Sequence, residues 1–262
     1  MFMEFLLKLW PPISFFIVSA VTTAIALTGL YLVRKKYPAE VLKENHEVAA
    51  IIFNAFGLFY GVMLAFVVFV TWNGYSDATK DLQMEANLAD DLFHIAQAFH
   101  EPARTVMQKG LHDYVTSVQN DELRRMAQGE IEIHSSTGLM SGLISTFYHL
   151  DENSFPNKEI YAEALSRLNN LAEYRRLRIF SGNDTVPGVV WLVLLVGALF
   201  TVCFNYLFGM KNIKAQYLIT ATLTVTMSQI LFLIFVLDHP FTGASRISAE
   251  PLREVIEVMH AK

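Results

Sequence analysis

The sequence predicts an all-α membrane protein: four transmembrane helices, with a large extracytoplasmic helical bundle between the second and third spans. Three observations predict it. The 262 residues are 53% hydrophobic and only 17% charged, where a soluble domain carries about 25% charged residues. Four runs, 13–33, 48–72, 188–208 and 217–237, contain no Asp, Glu, Lys, Arg or His, and each reaches the roughly 20 residues that cross a bilayer. Between the second and third runs, apolar residues recur at helical spacing. The expected divisions are 1–72 (first two spans), 73–187 (external helical domain), 188–241 (last two spans) and 242–262 (amphipathic tail).

The first run reads as a span rather than a cleaved signal peptide. It is too long, and it ends at Arg34-Lys35-Lys36 with no small-residue cleavage site. Orientation follows from the short loops. Arg34, Lys35, Lys36 and Lys43 lie after the first run, Lys211 and Lys214 after the third. The positive-inside rule places both loops in the cytoplasm, and both termini and 73–187 outside. A multi-pass protein of the cell inner (plasma) membrane is expected. Segment 73–187 holds 10 Lys and Arg against 17 Asp and Glu, so acidity concentrates there.

After Trp72, residues Tyr75, Ala78, Leu82, Glu85, Ala89, Leu92, Ala96 and Phe99 step by three and four. The second span is therefore expected to continue as one helix towards Pro102. A second external helix, near 103–128, carries Met107, Leu111, Tyr114 and Val118 and stops at Gly129. A third, near 136–150, carries Leu139, Leu143, Phe147 and Leu150. A fourth, near 157–180, carries Tyr161, Ala164, Leu168 and Leu171, with a break at Ser181-Gly182-Asn183-Asp184. Asp184 or Thr185 can cap the third span, with Pro187 in its first turn.

Several function classes find no support. The net charge of −5 speaks against nucleic acid, which clustered Lys and Arg must neutralise. Cys203 is the only cysteine, so no intrachain disulfide can form and no Cys-based zinc site is possible. The eight histidines are scattered. Asp90, Asp91 and His94 lie one turn apart, a spacing that fits a metal but reads first as a solvated helix face. No phosphate-binding loop, dinucleotide fingerprint or nucleophile elbow occurs. No enzyme, metal site or cofactor is expected. The lack of charge within the spans also lowers the case for a coupled transporter.

In the second span, Asn54, Gly57 and Gly61 share a face, and Gly57-x-x-x-Gly61 lets helices approach closely. Phe53, Phe56, Phe59, Tyr60 and Phe66 surround it. Asn54, Gly57, Tyr60 and Gly61 are pore-lining candidates, with ordinary helix packing as the alternative. In the fourth span Thr220, Thr224 and Ser228 share a face, where back-bonding to the helix is preferred over a conduction path.

The pattern Asn54-x-x-Gly57, Ala65-Phe66-Val67-Val68, Trp72, Glu85-Ala86, Tyr114-Val115 and Pro187-x-x-x-Trp191 leads to Asp238-His239-Pro240-Phe241-Thr242-Gly243 and Ile247-Ser248-x-x-Pro251. Together these resemble the bestrophin-like family of bacterial integral membrane proteins, formerly a domain of unknown function. His239 stands where that family more often has Arg. The resemblance implies four spans and distant kinship with bestrophins, which are pentameric anion channels lined by their second span. No counterpart of their calcium clamp is visible beyond the lone pair Asp151-Glu152. The implied function is a homo-oligomeric channel for small anions in the lipid bilayer. The alternative is a membrane-anchored sensor or assembly protein whose external domain binds a ligand or partner.

Two further expectations concern structure. Asp238, Pro240, Phe241 and Gly243 form a turn motif in which Asp238 or Thr242 satisfies freed amides. Ser248 then caps a short helix bearing Leu252, Val255, Ile256 and Met259. Glu85, Arg175 and Arg178 interrupt apolar seams, and an ion pair between Glu85 and Arg175, with Arg178 nearby, would satisfy them.

Overall fold

The computed structural model describes residues 7, 9–38, 46–130, 137–208, 210 and 212–260. Lys43, His134, Ser136 and Lys211 lie outside the described residues, as do the side chains of His46 and Glu152. The described elements are all helical: α1 (Pro11–Lys36), α2 (His46–Ala96), α3 (Ala103–Ser117), α4 (Leu123–Gln128), α5 (Thr137–Tyr148), α6 (Lys158–Asn183), α7 (Gly188–Tyr206), α8 (Ile213–Leu237) and α9 (Glu250–His260). A single π-helical turn, Val118–Glu122, joins α3 to α4. The chain divides into two compact units, Met1–Asn73 with Thr185–Asp238, and Gly74–Asp184 with His239–Lys262. Helix α2, 51 residues long, contributes to both.

In the first unit, α1, the first half of α2, α7 and α8 are long and apolar enough to cross a membrane. The unit is inverted relative to a soluble core. Phe16, Ile25, Leu58, Phe59, Leu192 and Leu218 are exposed, while Ser14, Ser19, Thr201, Asn205, Thr220, Thr224 and Ser228 are buried. Hydrocarbon solvates the outer side chains, so packing falls to small and hydroxyl-bearing residues. Helices α1 and α8 run antiparallel, with Phe15 edge-on to Phe232 and Ser228 Oγ 3.4 Å from Ser19 Oγ. The Thr220 and Thr224 hydroxyls donate to the carbonyls of Gln216 and Thr220, and Asn205 Nδ2 donates to Thr220 Oγ1 at 2.6 Å. The hydroxyl face of α8 is thus spent on packing. Arg34 Nη2 donates to the Met210 carbonyl at 2.5 Å, which ties together the ends of the two basic loops.

The second unit is built on the C-terminal half of α2. Ala78, Leu82, Ala89, Leu92 and Ala96 on α2, and Phe99 beyond it, form its central seam. Met107, Leu111, Tyr114 and Val118, then Leu143 and Phe147, then Ala164, Leu168 and Leu171 complete the core. Leu139 is exposed and its neighbour Met140 is buried in its place.

Two boundaries differ from the sequence reading. Helix α6 runs through Ser181, Gly182 and Asn183 and ends only at Asp184, because a single glycine lowers helix propensity without forbidding it. Helix α7 begins after Pro187 with no side-chain cap from Asp184 or Thr185. At the start of α6, Asn157 Oδ1 accepts from the Ile160 amide.

Candidate functional site

Two constellations stand out, one in each unit. The first is the membrane half of α2. Leu64 and Val67 join Tyr60 in a buried stripe against α7. Tyr60 is only 4% exposed and its hydroxyl donates to the Leu194 carbonyl at 2.7 Å. Gly197 exists to admit that ring: a Cβ there would lie 2.3 Å from Tyr60 Cε2. Phe56 also faces α7, against Phe204, and Phe53 packs on Phe208 just beyond its end. Asn54, Gly57, Gly61 and Ala65 lie on a different face and are exposed. A Cβ added at Gly57 or Gly61 would meet nothing within 4 Å.

The four pore-lining candidates are therefore not brought together. At 100° per residue, Tyr60 points roughly 120° away from Asn54 and about 100° from Gly61, and its burial assigns it to packing within the protomer. The aromatic set divides likewise. Phe53, Phe56 and Tyr60 turn inward, while Phe59 and Phe66 remain exposed.

The second constellation is a buried charge cluster. Glu85 on α2, Tyr114 on α3, Glu122 in the π turn, and Arg175 and Arg178 on α6 are all fully or nearly fully buried. Arg178 Nε donates to Glu85 Oε2 at 2.5 Å and its Nη2 to Glu85 Oε1 at 3.1 Å. The same Nη2 reaches Glu122 Oε2 at 2.5 Å, and Arg175 Nη2 reaches Glu122 Oε1 at 2.9 Å. Tyr114 Oη donates to Glu85 Oε1 at 2.5 Å. Two carboxylates thus face two guanidiniums, and the cluster is neutral.

Burial pushes the Glu122 carboxyl up, but Arg178 and Arg175 outweigh it and hold the group below its ordinary value. Burial and then the Glu85 charge keep the Tyr114 phenol well above its ordinary range, so it serves as a neutral donor.

The partner expected for Glu85 was Arg175; the structure gives it Arg178, and Arg175 binds Glu122. Equal counting along the two helices matched Glu85 to Arg175, but the contact falls three residues further along α6, at Arg178. The member missed was Glu122. It lies four residues beyond Val118 on the stripe Met107, Leu111, Tyr114, Val118, so continuing that spacing points to it. The π turn, which often marks functional or strained positions, carries it into the core.

The C-terminal turn motif is divided between the units. In the first, Asp238 Oδ1 accepts from the Val186 amide at 2.7 Å, just ahead of α7. In the second, Phe241 is buried in the core, Thr242 Oγ1 donates to the Met126 carbonyl at 3.1 Å, and the Gly243 amide donates to the Ala127 carbonyl at 3.2 Å. The Met126 carbonyl also accepts from the Gly129 amide, so the motif adds to the bonds that close the last turn of α4. Gly243 has φ 79°, a left-handed conformation that favours glycine. Pro240 accepts from the Ile247 amide. Among the described residues no group of three or more His, Cys, Asp or Glu side chains could hold a metal.

Helical spans turned inside out, joined to a helical unit with a charged core, define a multi-pass all-α membrane protein. Its family follows from comparison: the chain belongs to the bestrophin-like family, whose domain model matches residues 20–252. No curated protein matches it significantly. Among solved structures, it is similar to a bacterial bestrophin homologue from Klebsiella pneumoniae. One single-residue variant of that protein aligns with a TM-score of 0.71 at 13% identity, covering 94% of this chain and 97% of the other. A second gives 0.67 at 13% identity, covering 95% and 99%. A third gives 0.66 at 15% identity, covering 94% and 96%. At such identity the likeness is one of fold.

Proposed function

We propose that this protein is a homo-oligomeric channel that passes small anions passively, with the Asn54, Gly57, Gly61, Ala65 face of α2 lining the path. The observation that carries this reading is that face itself. It is free of charge, built of small residues and left without a partner in the protomer. Large exposed side chains suit hydrocarbon, whereas a lane of glycine and alanine leaves width for an ion or for a second copy of the helix. The Asn54 amide supplies N–H donors to an anion without imposing a fixed charge. Leu58, Val62 and Phe66 beside the lane are exposed and apolar, the material of a constriction that gates by dewetting. Family membership supports the reading, because bestrophins are anion channels. The proposed setting is the inner membrane, with the two basic loops in the cytoplasm and the second unit outside.

Planar-bilayer recording of the purified protein tests it. Chloride currents are expected, with Gly61→Trp abolishing them and leaving the protomer folded. Silence across ions, voltages and pH would overturn the proposal.

A second reading, a ligand sensor, rests on a cavity of about 560 Å³ in the second unit, lined by Phe147, Asn153, Phe155, Lys158 and Tyr161. Ligand-induced stabilisation that vanishes in Tyr161→Ala would favour it.

A further inference from the structure

His112 on α3 and His260 on α9, 148 residues apart in the chain, meet with their Nε2 atoms 3.1 Å apart. Their rings stand edge to face, with centroids 4.7 Å apart. Asp113 Oδ1 lies 3.7 Å from His112 Nδ1, the other ring nitrogen. Both histidines are open to solvent, His112 at 31% side-chain exposure. The helices that carry them are held by the apolar core: Leu111 on α3 and Leu252, Val255 and Met259 on α9 are buried in it.

From this geometry we propose that His112 and His260 form a two-nitrogen site for a divalent transition ion, which staples the C-terminal helix to α3 within the second unit. Two imidazole nitrogens bound to one ion at about 2.0–2.1 Å in tetrahedral geometry are separated by roughly 3.3 Å, close to the spacing present. The carboxylate of Asp113 favours the proton on His112 Nδ1, which leaves Nε2 with its lone pair directed at His260. Two neutral imidazoles select the zinc, copper and nickel class over magnesium or calcium, and water fills the remaining positions. The alternative for the pair is a direct hydrogen bond between one protonated and one bare Nε2.

Full-length protein without a polyhistidine tag, stripped with chelator and held in detergent, separates the two. Zn²⁺ is the probe, followed by equilibrium dialysis and by the melting temperature. One equivalent of Zn²⁺ is expected to bind and to raise the melting temperature by a few degrees, as a ligand of the native state must. Mg²⁺ should give no shift. His112→Ala, at a half-buried position, and His260→Ala, at an exposed one, should each lose that equivalent and the shift, while His149→Ala keeps both. Failure of the wild-type protein to bind Zn²⁺, or retention of the equivalent in either clamp variant, would overturn the site. Loss of stability in the variants without any metal effect would assign the pair to a plain hydrogen bond.

Discussion

Arg178 is fully buried and touches both carboxylates of the charge cluster. A guanidinium can satisfy two acids at once because its donors are spread in a rigid plane. Removing it leaves Glu85 with Tyr114, and Glu122 with Arg175, in a buried site. Arg178→Met should therefore cost about 3–5 kcal/mol, the usual cost of stranding a buried charge, measured by denaturant unfolding in detergent. Arg167, whose partners Asp91 and Glu163 are exposed, is the control, and Arg167→Met should leave stability unchanged. A loss in the control as large as that in Arg178→Met would mean that burial is not the deciding variable.

Glu122 also sets a pH dependence. Its folded-state carboxyl titrates below its ordinary value near 4.5, so the folded state binds that proton less readily than the unfolded chain. The stability it contributes is present in full above that ordinary value and is lost as pH falls towards and through the lower folded value. Wild-type protein should thus lose stability on acidification below about pH 4.5. In Glu122→Gln that part of the acid slope should be absent, although the variant starts less stable. An unchanged slope in a pH series of melting curves would contradict the assignment.

Glycines on helices separate two kinds of element contact. Gly197 on α7 has no room for a methyl group, since Tyr60 already fills the space. Gly197→Ala should destabilise the protomer by about 1–3 kcal/mol, the range for overpacking a filled core. Gly57 and Gly61 on α2 have open space around them within the chain. Gly57→Ala and Gly61→Ala should leave protomer unfolding unaltered, or slightly improved through helix propensity, while changing oligomer size or conductance. Size-exclusion chromatography with light scattering beside single-channel recording would read both. If Gly61→Ala altered neither assembly nor current, the proposed lane would lose its basis. At the other end of the chain, α9 buries Leu252, Val255 and Met259, and Ser248 Oγ accepts from the Glu250 amide at 3.2 Å. The amphipathic tail expected from its spacing thus has a protein surface for its apolar face, in the second unit.

Across the whole molecule, the orientation proposed for the membrane can be tested by single cysteines in a Cys203→Ser background. Cys203 is exposed and must be removed first. A cysteine at Lys214 should react with an impermeant reagent only after the cytoplasmic side is opened, and one at Lys158 in intact spheroplasts. The reverse pattern would invert the topology.

Charge-free runs and helical spacing determined the four spans, and the seam from Ala78 to Phe99, because hydrocarbon and an apolar core each select residues by chemistry, position by position. The spacing also exposed Glu85, Arg175 and Arg178 as charges on inward faces. What spacing could not state was which helices meet. Tyr60 shares a helix with Gly57 and Gly61, yet only the packing of α7 decides that it turns inward while they do not. Glu122 is one acid among many on the chain until the π turn and the two arginines of α6 close around it. His112 and His260 are 148 residues apart, and no local pattern links them. Local periodicity encodes which face of a helix is buried; the partner across that face is set by long-range packing, where a shift of one turn exchanges Arg175 for Arg178.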